Sequence, residues 1–295
     1  MKPVTPAKKI KPTLKRACLL CLFLPLSACR QERDAETVSG TSVRFAHLQD
    51  YAWQDRTQSG QPVDMKPLAE REALLLSLST SPADILVLRG LGSEASLLHL
   101  QSALSTAGTP YPSASYVPGT TPYRGIGFLS QAPLSETRNL SDQQFRIKEQ
   151  SFQPLAGALL TSSPHFPRIW IWNHQAPDPD KDYERRRNEA RMLSQALRPL
   201  LEAGDQVLLS IHSREDLNSP MLRMLEDLGL QRLQLTDERG DSWTFRDPQG
   251  IHYRQDQWLF ASPELLDQGL SNGRVIDSPS LREAGPYRHQ GIVIL

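Results

Sequence analysis

Cysteine is nearly absent from this chain of 295 residues, and the three that occur, Cys18, Cys21 and Cys29, all lie in the first 29 positions. No disulfide can therefore staple the remainder, whose core must hold on packing alone. About 250 residues suffice for that in one large domain. A membrane-spanning run is also missing. The apolar stretch Ala17–Leu26, ACLLCLFLPL, has ten residues, where about 20 are needed to cross a bilayer. Net charge is missing too, with 33 basic and 33 acidic residues. Positions 1–28 hold no acidic residue and six basic ones, Lys2, Lys8, Lys9, Lys11, Lys15 and Arg16. Without those positions the balance is 27 against 33, or −6. Such a surface argues against a general nucleic-acid binder, whose affinity comes largely from Lys and Arg meeting phosphates.

The basic stretch, the short apolar core and Leu26-Ser27-Ala28-Cys29 follow one another as in a signal peptide. The last four residues resemble the lipobox of bacterial lipoproteins. That resemblance implies a lipoprotein signal peptide over residues 1–28, with Cys29 lipidated as the new N-terminus. An ordinary signal peptide containing a chance cysteine is the alternative. Cys18 and Cys21 form a C-x-x-C inside the apolar core and are removed with it, so neither zinc nor redox chemistry attaches to them. Residues 29–40 continue as RQERDAETVSG after the cysteine, polar and without periodicity, and read as a tether. Arg30 rather than Asp follows the cysteine. By resemblance to sorted lipoproteins this implies a bacterial envelope location, on the periplasmic side of the outer membrane if the cell is Gram-negative.

Strands and helices then alternate. Ala83–Gly92, ADILVLRGLG, is a short apolar run closed by glycines and reads as a strand buried on both faces. Met65–Leu78 before it carries apolar residues at helical spacing. Ser42–Leu48 places Val43, Phe45 and His47 on one strand face. Glu94–Ala107 is an amphipathic helix, and Gly108–Thr121 reads as a loop rich in proline, serine and tyrosine. Phe152–Leu160 and Arg168–His174 are further strands, the second marked by RIWIW. Asp182–Glu202 is a long helix ended by Gly204. Its Glu184, Arg185, Arg186, Arg187, Glu189 and Arg191 interleave at i,i+3 and i,i+4, the pattern of an ion-paired solvated face rather than a nucleic-acid patch. Asp205–Ser213 is the next strand.

The strand motif Ala83–Gly90 resembles "(A/P)DI(L/V)xLxE" of the endonuclease/exonuclease/phosphatase superfamily. Five further ordered stretches share that resemblance. Tyr123–Ser130 with Ala132-Pro133-Leu134 resembles the hairpin element "xxGxxxLSRxPI", and Asp205–Ser213 with Asn218-Ser219-Pro220 stands where the family has "VxxGDFND…NSP". Asp241–Phe245 resembles "xTWT", His252–Leu265 resembles "xxRIDYILVSPxL", and Pro286–Leu295 stands at "SDHxPVxxxx". The resemblance covers residues 41–295. It implies an α/β (α+β) fold, a four-layer α/β/β/α sandwich of two mixed β-sheets flanked by helices, and divalent-metal hydrolysis of phosphodiesters or phosphomonoesters.

The structural halves of these motifs are kept while their catalytic halves are not. The metal-binding glutamate falls at Gly90, preceded by Arg89, and the first-strand asparagine at His47, or at Gln49 in a looser alignment. The phosphate-contacting histidine is matched by His174. The motif's Asp and Asn fall at Ile211 and Ser213, with His212 between them expected to point the other way. An isoleucine cannot ligate a hard cation. The next aspartate falls at Gln257, with Asp256 one residue out of register. The final Asp–His pair falls at Tyr287 and Arg288, beside His289. The expectation is a catalytically inactive, lipid-anchored binding or scaffold protein of the envelope with no cofactor. Its partner would be a protein or a small anionic ligand, with the membrane reached through Cys29. Arg89 and Arg288 are anion-binding candidates, unless either faces solvent or pairs with an acid such as Glu94. The alternative is a hydrolase with a rebuilt site, in which His47, His174 and His289 converge on Zn²⁺, or one that still uses Mg²⁺.

Overall fold

Two runs of strands, one in each half of the chain, carry apolar residues on both faces, and such strands need cover on both sides. In a computed structural model the described residues are 40–51, 66–119, 124–163, 166–178, 182–247 and 249–295. The signal-peptide stretch 1–28, Cys29 and the tether up to residue 39 lie outside them. The first half forms β1 (Thr41–Tyr51), α1 (Leu68–Thr80), β2 (Ile85–Leu91), α2 (Glu94–Thr106), β3 (Ser113–Val117), β4 (Gly125–Ser130) and β5 (Leu134–Asn139). A short ribbon, β6 (Phe145–Ile147) and β7 (Gln150–Phe152), leads to β8 (Leu155–Ser163). The second half forms β9 (Phe166–Gln175), α3 (Tyr183–Glu202), β10 (Val207–His212), α4 (Pro220–Glu226) and β11 (Gln231–Leu233). It closes with the ribbon β12 (Phe245–Arg246) and β13 (Tyr253–Arg254), then β14 (Gln257–Ala261), α5 (Pro263–Gln268), β15 (Leu270–Ile276), α6 (Pro279–Ala284) and β16 (His289–Ile294).

The strands assemble into two six-stranded sheets, in the orders β15-β16-β1-β2-β4-β3 and β11-β14-β10-β9-β8-β5. Both are mixed: β1 runs parallel to β2 and β9 parallel to β10, while the other pairings are antiparallel. Alternation sends Val43, Phe45, Ile85, Val87 and Phe128 of the first sheet against Ile169, Ile171, Leu208 and Leu259 of the second. On the first sheet's outer face Ala46, Leu86 and Leu88 pack under Leu74 and Leu78 of α1 and Leu97 and Leu100 of α2. On the second sheet's outer face Trp170, Trp172, Ile211 and Phe260 pack under Leu193 and Leu197 of α3 and Leu222 of α4. Each such aliphatic side chain contributes about 1.5–3 kcal/mol through burial. The result is the four-layer α/β/β/α sandwich.

Local chemistry fixes the elements. Three short helices begin with Ser-Pro, at Ser219-Pro220, Ser262-Pro263 and Ser278-Pro279. In each, the serine hydroxyl accepts the N–H three residues on, from Leu222, Leu265 and Leu281, while proline at N1 gives up no needed donor. Asp84 sets the start of the β1–β2 pair, because its Oδ2 accepts both the N–H and the hydroxyl of Ser42, at 2.7 and 2.6 Å. Gly127 lets α2 approach: a Cβ there would lie 2.5 Å from Leu91 and 2.8 Å from Leu97.

Two expectations need correction. The 108–121 stretch is not all loop, since Ser113–Val117 forms the edge strand β3 beside β4. The 123–134 element is not a hairpin: β4 belongs to the first sheet and β5 to the second, so the turn carries the chain between layers. That crossing also fixes how the sheets stack. The Gln290 amide on β16 reaches the Gln257 carbonyl on β14 (3.4 Å), His47 on β1 meets His212 on β10, and β4 and β3 lie against β8 and β5. β2 therefore lies over β9.

Candidate functional site

The parallel strands β1, β2, β9 and β10 end at the same edge of the sandwich, and their last inward-facing residues form its mouth. From the first sheet come His47 and Arg89, which are cross-strand neighbours, together with Gln290. From the second come Asn173 and Ser210, also neighbours, and the pair His212 and Gln257. The mouth is filled by rings. His47 stacks on Tyr287 at 3.8 Å and 16° and lies 4.8 Å from His212. Tyr287 meets His212 edge-on at 5.9 Å and leans on Phe245 at 5.1 Å. Behind the rings the Gln257 amide donates to the Ser210 hydroxyl (3.2 Å), and Thr244 Oγ1 accepts the N–H groups of Asp256 and Gln257 (2.9 and 3.1 Å).

The electrostatics are cationic and the Arg89 and Asp256 groups are buried. Burial, reinforced by the Arg89 charge, holds His47 and His212 well below the ordinary imidazole range, so both rings are neutral. Burial raises the Tyr287 hydroxyl to about 12 and lowers Arg89 to about 9, which leaves the guanidinium charged at neutral pH. Asp256 is a carboxylate beside the rings. Burial raises its carboxyl, Arg254 Nε holds its Oδ1 at 2.5 Å, and its Oδ2 stands 4.0 Å from His212 Nε2.

The structure separates the three remnant histidines. His47 faces between the sheets. His289 lies on the outer face of its sheet, where its Nδ1 accepts from Arg44 Nε at 3.1 Å, and Arg44 in turn donates to the carbonyls of Ser77 and Ser81 under α1. His174 lies on the outer face of the second sheet against α3. Convergence of His47, His174 and His289 on one metal is therefore corrected: strand alternation puts them in three different layers. Ile211 likewise faces the helical layer. Ser213 sits just past β10 with its hydroxyl on Glu215 (3.0 Å). Gly90 stands at a bulge in β2 with φ 76°, so Arg89 supplies the side chain that enters the mouth. Arg288 does not share that mouth: it is bonded to the Asp237 carboxylate, lies 3.9 Å from Asp277 and stacks on Trp243 at 3.8 Å. Asn173, His212 and Gln290 are the mouth residues that motif matching missed. Alternation counted from the inward-facing pairs Ile169–Ile171 and Leu208–Ser210 would have found the first two.

No family model and no curated protein matches the chain. Solved structures do. The human Nocturnin catalytic domain with bound sulfate anion superposes with a TM-score of 0.62 at 14% identity, covering 86% of this chain and 94% of that one. An endonuclease/exonuclease/phosphatase family protein from Leptotrichia buccalis C-1013-b gives 0.59 at 11%, covering 87% and 100%. The Neisseria 3′ phosphatase NExo, bound to a product DNA hairpin, gives 0.59 at 13%, covering 86% and 98%. The chain has the endonuclease/exonuclease/phosphatase fold.

His174 turns away from the mouth and is held between β8 and α3. Its Nδ1 lies 3.1 Å from the Leu155 carbonyl, which can only accept, so Nδ1 carries the proton and Nε2 the lone pair. Nε2 faces Glu189 Oε2 on α3 at 4.0 Å, while Arg185 Nε holds Glu189 Oε1 at 2.7 Å. Burial pushes the Glu189 carboxyl up to about 7, against the pull of Arg185 and Arg124 and with help from Asp182. A protonated Glu189 offers the donor that Nε2 lacks. Because the folded value exceeds the ordinary 4.5, this contribution to stability is fully present below 4.5 and is lost as pH rises through about 7. The urea midpoint of wild type should fall relative to that of Glu189→Gln between about pH 5 and about pH 8. Parallel midpoint profiles would contradict the buried proton.

Proposed function

We propose that this domain acts by binding rather than by metal-assisted hydrolysis, and that it is held to the bacterial envelope by lipid on Cys29. The observation that supports it is the filled mouth. Where resemblance to the nuclease and phosphatase family implies a carboxylate-bound divalent cation, the chain presents two neutral imidazoles, a tyrosine and a buried guanidinium. Mg²⁺ takes near-octahedral oxygen coordination and commonly enlists one or two carboxylates. The donor set here does not fit it: Asp256 is committed to Arg254, and Arg89 adds a repelling charge. Among the described residues no group of three or more His, Cys, Asp or Glu side chains could hold a metal ion. The partner is an envelope protein or a small anionic ligand, not nucleic acid in general. A rebuilt hydrolase draws on one observation, the approach of His212 to Asp256, an imidazole and a carboxylate in the same mouth.

Hydrolysis assays separate the two. The full chain, purified in detergent, should not turn over bis(p-nitrophenyl) phosphate, plasmid DNA or a phosphate monoester with Mg²⁺, Mn²⁺ or Zn²⁺. Turnover that needs Zn²⁺ and disappears in His212→Ala would establish the rebuilt site. Turnover with Mg²⁺ would contradict the binding reading outright.

The anchor has its own test. On this reading the acyl chains on Cys29 supply the membrane affinity, each buried CH₂ being worth about 0.8 kcal/mol. Wild type should partition into the detergent phase and Cys29→Ser into the aqueous phase or an unprocessed pool. Equal partitioning removes the lipid from the account. On this reading, in a Gram-negative cell, the domain faces the periplasm from the outer membrane.

A further inference from the structure

Three arginines are buried among the described residues, Arg44, Arg89 and Arg288, and the domain treats one of them differently. Arg44 donates from Nε and both Nη atoms, to His289, the Ser77 and Ser81 carbonyls and the Ser77 hydroxyl. Arg288 has the Asp237 carboxylate and the Trp243 carbonyl. Arg89 is 1% exposed, yet neither Nη1 nor Nη2 has a hydrogen-bond partner. The stacking of β2 over β9 puts it across from Asn173, also 1% exposed, whose Oδ1 and Nδ2 are both unpartnered. Gln290 Oε1, at the same mouth, is unpartnered too.

Buried polar atoms in native folds are paired with protein, water or ions. Two considerations decide which. The first is donor type: both Nη atoms of Arg89 and Nδ2 of Asn173 can only donate, and two of these three nitrogens carry the guanidinium charge. The second is charge. The surrounding imidazoles are neutral, and Asp256 is balanced by Arg254, so the Arg89 charge stands without a hydrogen-bonded counter-charge. Water would satisfy the donors and leave that charge unpaired. Size narrows the choice further. Arg89 and Asn173 are each 1% exposed, so little open space adjoins them, and a larger oxyanion would have to part the side chains packed around them.

We propose that Arg89 and Asn173 bind a small monovalent anion of the halide class between the two sheets. The edge that in the resembling family holds a cation on carboxylates would here hold an anion on a guanidinium. This deepens the binding reading and rests on it, since a mouth loaded with a divalent cation would have no need of the anion.

The test is thermal unfolding of the full chain in detergent at constant ionic strength, with gluconate progressively replaced by chloride or bromide. Wild type should show a saturable rise in Tm with either halide, following one-site linkage. Arg89→Met should show none and should be at least as stable as wild type in gluconate, because the unpaired buried charge is gone. A flat wild-type response, an equal rise in both proteins, or a response to phosphate without one to halide overturns the proposal. If Arg89→Met does not fold, crystals grown in bromide decide it through anomalous scattering. A peak between Arg89 and Asn173 is expected, and peaks confined to the surface would overturn it. Failure here leaves the hydrolysis result standing, and Mg²⁺-dependent turnover would sink the binding reading without touching the halide response.

Discussion

Every strand in a sandwich sends alternate side chains between the sheets and the rest toward the helices, and the chemistry of the mouth depends on which residue falls on which side. On β1 and β2 that rule sends His47 and Arg89 inward. On β9 it sends Asn173 inward and His174 outward, and on β10 it sends Ser210 and His212 inward and Ile211 outward. A slip of one residue on β10 would turn Ile211 into the mouth and bury Ser210 and His212 among the tryptophans of the helical layer, and a slip on β9 would bring His174 into the mouth and turn Trp170 and Trp172 between the sheets. The register is secured at places away from the mouth: the Asp84–Ser42 hydrogen bonds, and the Ile169–Ile171 and Leu208 contacts of the inter-sheet core.

That arrangement exchanges one electrostatic solution for another. A hydrolase of this fold concentrates negative charge and offsets it with a divalent cation. This chain concentrates uncharged rings, stacked within 3.8–5.9 Å, around the buried Arg89 guanidinium. The neutral histidines follow from burial together with Arg89. The same low polarity makes an unpaired guanidinium costly, whereas Arg44, buried equally deeply, is bonded through all three nitrogens. The contrast separates a fully bonded buried cation from one whose two Nη atoms lack hydrogen-bond partners.

Much of the fold was legible because it rests on patterns that recur every two or every few residues. The unbroken Ile85–Leu88 run announced an interior strand, RIWIW announced another, and the leucine spacing of Glu94–Ala107 announced a helix. The edge strand β3 was hidden because proline and serine near it mimic a loop, and its burial is only partial. The mouth was less legible. Motif matching located the right strand ends but could not say which of two adjacent residues faces inward, since that depends on the bulge at Gly90 and on how the sheets stack. His174 matched the family residue for residue and yet binds the Leu155 carbonyl and faces Glu189. Asp256, set aside as out of register, approaches His212 because it precedes β14 and is not bound by strand alternation.

The central claim is that this mouth has lost its affinity for divalent cations because its inward-facing side chains are rings, amides and a guanidinium. Manganese electron paramagnetic resonance reads it most directly, because bound Mn²⁺ loses the sharp six-line signal of the free ion. Titrating the full chain at about 100 μM should give a free-ion signal that rises from the first addition in parallel with a buffer blank, as expected when few oxygen donors converge. Suppression of the signal up to one equivalent, lost again in a Gln257→Ala, Asn173→Ala double variant that still unfolds cooperatively, would contradict it.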